Sequence, residues 1–198
     1  MRKIFEEFAD LLDKRLEEKV PTTEDSVRYT LFASMLQNKI DPNEIELEHP
    51  HPMIDGAQID TWLRDFGGNP VGIEFKYDRP AQGTSKAIIN KTERAGAVFE
   101  DLRRLQLLTS SERPVECYLV YVTSEEMNKY FNSQRNCHVG FYCLSPGYSF
   151  DIESIYFKDR PDSFLKKIKG AFEARVTGVL SRDISREHYL RVYRVCSL

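Results

Sequence analysis

The sequence predicts an α/β fold, with helices laid against a central sheet, and three observations carry that expectation. A helical spacing of apolar residues opens the chain at 2–19. Two strand-like runs, AQIDTWL and VGIEFKY, are joined by a tight Gly67-Gly68-Asn69-Pro70 turn. A long helical pattern over 83–108 then leads into VECYLVYVT (115–123), the most apolar run of the chain, as expected of a central strand.

Each element has its own justification. Ile4, Phe5, Phe8, Leu11, Leu12 and Leu16 recur at helical spacing. Pro21 ends that helix, and Thr22 and Thr23 are candidate N-caps for a second one over roughly 23–38, with Val27, Leu31, Ser34 and Met35 as its stripe. Asp41-Pro42 marks a turn, EIELEH reads as a first strand, and the runs through Asp60 and Glu74 read as the second and third. In the helix over 83–108, Ile88, Ala95, Val98, Phe99, Leu102 and Leu105 point inward, and Gly96 in its middle implies close packing against a strand. After the strand at 115–123 comes a short helix to about Ser133. HVGFYCLS (138–145) and DIESIYF (151–157) read as strands, Pro161 starts a helix to about Arg175, and HYLRVYRV (188–195) reads as a last strand. The order is helix, three strands, helix, strand, helix, strand: an α/β sandwich in which an antiparallel meander meets a strand arriving through a helical crossover.

At 198 residues and 41% hydrophobic content the chain fits one domain with a proper core. It has no apolar run of about 18 residues, which argues against a membrane span. MRKIFEEFADLL is interrupted by acids and does not read as a secretory signal. Cys117, Cys137, Cys143 and Cys196 show no Cys-x-x-Cys spacing; Cys117 and Cys143 fall in apolar runs and are expected to be buried, reduced thiols. A cytoplasmic location follows as the expectation. The net charge of −3 is unevenly spread: residues 1–75 hold 8 basic against 16 acidic side chains, whereas 158–198 hold 10 against 5. Clustered acids suit metal chelation and a basic tail suits phosphate contacts, although a solvated basic face has the same appearance.

The chemistry centres on Asp60, Glu74 and Lys76. A strand buries alternate residues, so Ile73, Phe75 and Tyr77 can face a core while Glu74 and Lys76 share the other face. An antiparallel neighbour through Asp60 brings a second carboxylate beside them. Two carboxylates and an ammonium on one sheet surface form a plausible Mg²⁺ site for phosphodiester hydrolysis. The acid-x-Lys spacing alone is weak, since about two such triplets are expected by chance in this composition. The other, Glu17-x-Lys19, lies in a charged helical stretch, where it is a solvated face. Only the second sits among strands with an upstream Asp.

On these residues the chain resembles the PD-(D/E)xK nuclease superfamily, the restriction-endonuclease-like fold. That family has an αβββαβ core with an Asp on its second strand, a Glu or Asp-x-Lys on its third and often a Glu in its first helix. Asp60, Glu74, Lys76 and Glu24 match those positions, over roughly residues 23–123, with Ile59 where the family often has Pro. The resemblance implies a single nuclease-like domain over 1–198: an N-terminal helix at 1–20, a catalytic core at about 23–123, and C-terminal strands with a basic helix at 124–198. It implies a catalytic set of Asp60, Glu74, Lys76 and Glu24, and Mg²⁺ (Mn²⁺ as substitute) held by Asp60, Glu74 and the Phe75 carbonyl. DNA would be the substrate, RNA not being ruled out, and the enzyme a restriction-type or defence endonuclease working as a homodimer. The alternative is a catalytically inactive module of the same fold that binds nucleic acid or a protein partner.

Several residues stay open between two readings. Glu24 and its neighbour Asp25 both suit a helix start through the dipole alone. Glu48 is either an outer ligand or an exposed strand residue. Arg79, Lys86, Lys91 and Arg94 either face a phosphate backbone or lie on ordinary helix surface. His49-Pro50-His51-Pro52 reads as an extended loop rather than a zinc site, and Trp62 reads as core rather than as a base-stacking platform.

Overall fold

The computed structural model describes residues 1–79, 90–110, 115–136, 138–185 and 187–198. Among these, α1 (Arg2–Glu17) and α2 (Glu24–Gln37) precede three strands, β1 (Ile45–Pro50), β2 (Gln58–Phe66) and β3 (Asn69–Tyr77). There follow α3 (Lys91–Thr109), β4 (Glu116–Ser124), α4 (Glu125–Asn132), α5 (Val139–Tyr142), β5 (Ser149–Ile152), α6 (Asp162–Leu165), β6 (Ala174–Ile184) and β7 (His188–Cys196). The strands form one mixed seven-stranded sheet in the order β1-β2-β3-β4-β7-β6-β5, with β4 at its centre, and helices flank it. Only β3 and β4 pair in parallel, through the α3 crossover; every other neighbouring pair is antiparallel. The α/β class read from the sequence holds, and no helix among the described residues is long and apolar enough to cross a membrane.

Each face of the sheet carries its own core. Ile4, Phe5, Phe8 and Leu12 of α1 and Val27, Leu31 and Met35 of α2 pack on Ile73, Phe75, Val120 and Val192. On the other face Val98, Phe99, Leu102 and Leu105 of α3 meet Leu119, Tyr121 and Tyr193 together with Phe141 and Phe164. Local chemistry places the segments. Thr23 caps α2 by accepting from the Ser26 amide at 3.1 Å. Phe66 pairs with Asn69 across Gly67 and Gly68, whose φ values of 67° and 97° are the left-handed pair a two-residue hairpin requires.

The C-terminal third departs from the sequence reading. Residues 139–142 form a helical turn rather than a strand, with the Phe141 and Tyr142 amides both donating to the His138 carbonyl; short apolar runs do not declare their period. Gly140 permits this, because a Cβ there would lie 2.8 Å from the Phe150 ring. The strand expected at 151–157 is β5, ending at Ile152, followed by a 3₁₀ turn over Ser154–Phe157. The helix expected from Pro161 to Arg175 stops at Leu165, and β6 is a strand that the basic composition concealed. Cys143 is exposed rather than buried, its thiol directed at Asn132, whereas Cys117 is buried as expected; both are free, as is Cys196. Cys137, Lys86 and Ile88 lie outside the described residues.

Candidate active site

The hairpin turn sets the register that assembles the site. Thr61 pairs with Ile73, Trp62 with Gly72 and Leu63 with Val71. One further step places Asp60 across from Glu74, on the same face of the sheet. On the other side of β2, Leu47 pairs with Thr61 and His49 with Ile59, so Glu48 falls opposite Asp60. Three acids therefore form a row across β1, β2 and β3. Glu48 holds its place with a φ of 55°, unusual for a side chain other than glycine or asparagine.

Beyond the last β2 pair, the free edge of β3 is capped by carboxylates. The Phe75 amide donates to Asp60 Oδ2 at 2.8 Å, and the Tyr77 amide donates to Glu24 Oε2 at 2.9 Å. Glu24, in the first turn of α2, thus reaches the site, while its neighbour Asp25 remains exposed. That observation separates the two acids. Ile73 and Phe75 are buried against α1 and α2, and Glu74 and Lys76 face α3, as the alternation requires.

Helix α3 and helix α2 supply partners that sequence reasoning did not include. Lys76 Nζ lies 2.9 Å from Asp101 Oδ2, and Arg104 Nη2 lies 2.8 Å from Glu74 Oε1, with its Nη1 3.8 Å from Asp101. Arg28 Nη2 donates to Asp60 Oδ1 at 2.7 Å, while its Nη1 lies 3.5 Å from Glu48. Arg94 pairs with buried Asp78 at 3.2 Å, so it belongs to the fold, whereas Arg79 is exposed. His51 is buried with Nε2 against the Arg104 carbonyl, and His49 sits in β1 stacked on Trp62, with its Nδ1 2.6 Å from Glu46. Asp60 and Arg104 line a cleft of about 360 Å³ together with Glu48, Gln58 and Lys169.

The electrostatics follow from crowding. Burial raises the Glu74 carboxyl well above the usual carboxylate range, the charges of Asp101 and Asp60 raise it further, and Arg104 opposes them only in part. Burial also raises Asp101 to about 6, against the pull of Lys76 and Arg104. Burial alone would lower Lys76, yet the Asp101 carboxylate reverses the sign and holds the ammonium charged, with Glu24 and Asp60 adding to the effect.

These residues fit a hard divalent cation. Their donors are carboxylate oxygens, the ligands such ions prefer. Glu74 Oε1 is buried and, despite its arginine counter-charge, accepts no aligned hydrogen bond. The raised Glu74 carboxyl is the condition that a nearby dication relieves. The acids are shared between arginines and backbone amides, and among the described residues no three His, Cys, Asp or Glu side chains close on a single point. Compared with known proteins, the chain matches no family model, no curated protein and no solved structure.

Proposed function

We propose that the protein is a metal-dependent nuclease of restriction-endonuclease-like architecture that hydrolyses DNA phosphodiester bonds, as a restriction-type or defence endonuclease. The observation that carries this reading is the placement of Asp60 across from Glu74 on neighbouring strands, with Lys76 on the same face as Glu74. The element order supports it: a helix bearing Glu24, three antiparallel strands, a crossover helix and a parallel fourth strand.

Asp60 and Glu74, with the Phe75 carbonyl, would hold Mg²⁺ or Mn²⁺. When bound, the cation supplies charge neutralisation for the phosphorane-like group and the leaving alkoxide. The side chains of this chain do the rest. Lys76, kept charged by Asp101, orients the attacking water and offsets negative charge in the transition state. Glu24 fixes the end of β3 through the Tyr77 amide, and Arg104 and Arg28 hold the two acids in place. Cleavage of both DNA strands calls for two such centres, hence a homodimer.

The same two arginines favour a second reading, an inert nucleic-acid-binding module, because they already neutralise Asp60 and Glu74 without a metal. Supercoiled plasmid incubated with Mg²⁺ or with EDTA separates the two. The enzyme should cut only with metal, and Lys76→Ala should lower the rate by on the order of 10²-fold or more. Binding without metal-dependent cutting by the wild type would leave only the inert module.

A further inference from the structure

The basic C-terminal region divides into two groups of different character. The arginines of β6 and β7 are neutralised in place: Arg175 by Asp151 through two hydrogen bonds of 2.7 and 2.8 Å, Arg182 by Asp10 at 2.5 Å, Arg191 by Asp183 at 3.4 Å and Arg194 by Glu116 at 3.7 Å. The lysines that follow α6, Lys166, Lys167 and Lys169, are all exposed: Lys167 pairs with Glu93 at 3.6 Å, and Lys169 stands close enough to Glu100 for its charge to help hold that carboxyl low.

This lysine segment is held rigidly beside the cleft. α6 lies so close to α3 that a Cβ on Gly96 would come within 2.4 Å of the Phe164 carbonyl oxygen and 3.1 Å of Lys167 Cβ. The Lys169 amide donates to Glu100 Oε2 at 3.0 Å, and Glu100 is itself gripped by Arg103 at 2.8 and 2.7 Å. The backbone of Lys169 is thereby fixed while its side chain lines the cleft that contains Asp60 and Arg104. A cleft walled by acids repels a polyanion unless a cationic lip brings it in.

We propose that Lys166, Lys167 and Lys169 form that lip and seat the sugar–phosphate backbone of duplex DNA at the entrance to the Asp60 cleft. The inference rests on the nuclease reading for the position of the scissile strand, and it assigns the phosphate contacts to a segment outside the αβββαβ core.

Its test is the salt dependence of binding, measured apart from cleavage. A labelled DNA duplex is titrated by fluorescence anisotropy in EDTA over a series of NaCl concentrations. The proteins are the full wild-type chain, a Lys166→Gln/Lys167→Gln/Lys169→Gln variant and an Arg175→Gln/Arg194→Gln control. Each phosphate contact contributes about 0.9 to the slope of log K against log salt, so the lysine variant should flatten it by about 2–3 and the control should not. Circular dichroism of these surface variants checks that the fold is kept. An unchanged slope in the lysine variant, an equal loss in the control, or wild-type binding to polyglutamate but not to duplex would overturn the assignment. A wild type that binds with the expected slope yet never cuts removes the nuclease reading and leaves the lysine lip standing. Metal-dependent cutting with a slope indifferent to the three lysines does the reverse.

Discussion

Glu74 is the residue on which burial and the crowding of acids converge. Its carboxyl is raised in the folded state by burial and by Asp101 and Asp60. A raised acid contributes stability that is complete below its unfolded value and is lost as pH rises through the folded one. Metal-free Glu74→Gln should therefore match the wild type near pH 4 and exceed it at pH 8 in urea midpoint, while losing on the order of 10²-fold or more in cutting. Equal midpoints at pH 8 would remove the crowding argument. Asp60, Glu74 and Lys76 were legible because period-two alternation and a Gly-Gly turn fix which side chains meet. Their partners were not, since Arg28, Asp101 and Arg104 arrive from other layers of the fold. One signal was present: Asp101 lies between Val98 and Leu105 on the inward stripe of α3, where a lone charge implies a buried partner.

The contact between α3 and α6 is governed by a glycine. In an exposed helix Gly96→Ala would stabilise by about 1 kcal/mol. Here the new methyl would meet the Phe164 carbonyl, a backbone atom that cannot rotate away. Overpacking of that kind costs about 1–3 kcal/mol, so the expected result is a net loss of stability in urea or thermal unfolding, with α6 displaced from the cleft. A gain in midpoint would show that the two elements separate freely. Gly96 was expected to pack on a strand; it packs instead against the backbone of α6 at Phe164. The helix was also misjudged in length. In β6, buried Ala174 and Val176 alternate with Arg175 and Thr177, and the shift between Gly178 and Leu180 then breaks the period, so its arginines read as a charged tail. The N-terminal half obeyed its patterns more closely because its turns and caps are chemically explicit.

The molecule as a whole does not reduce to its resemblance-bearing portion. Residues 23–123 contain the site, but α1 covers one face of the sheet, and β7 pairs along the length of β4. Removing residues 1–17 would uncover the partners of Ile4, Phe5, Phe8, Leu12 and Leu16, an apolar loss on the order of 10 kcal/mol. That equals the entire stability of an ordinary domain, so the shortened chain should show no cooperative unfolding transition by circular dichroism. A sharp transition would mean that the middle of the chain stands alone. The first helix is also fastened to the last hairpin: Asp10 accepts from Arg182, and Asp13 accepts from the Ser185 amide at 2.7 Å. The phenylalanines of that helix therefore draw their partners from much of the chain, from α2 and β3 through β4 to β7. Before β6 and β7 come to lie beside it, such a helix is only partly covered, and its uncovered apolar side offers a grip to a chaperone.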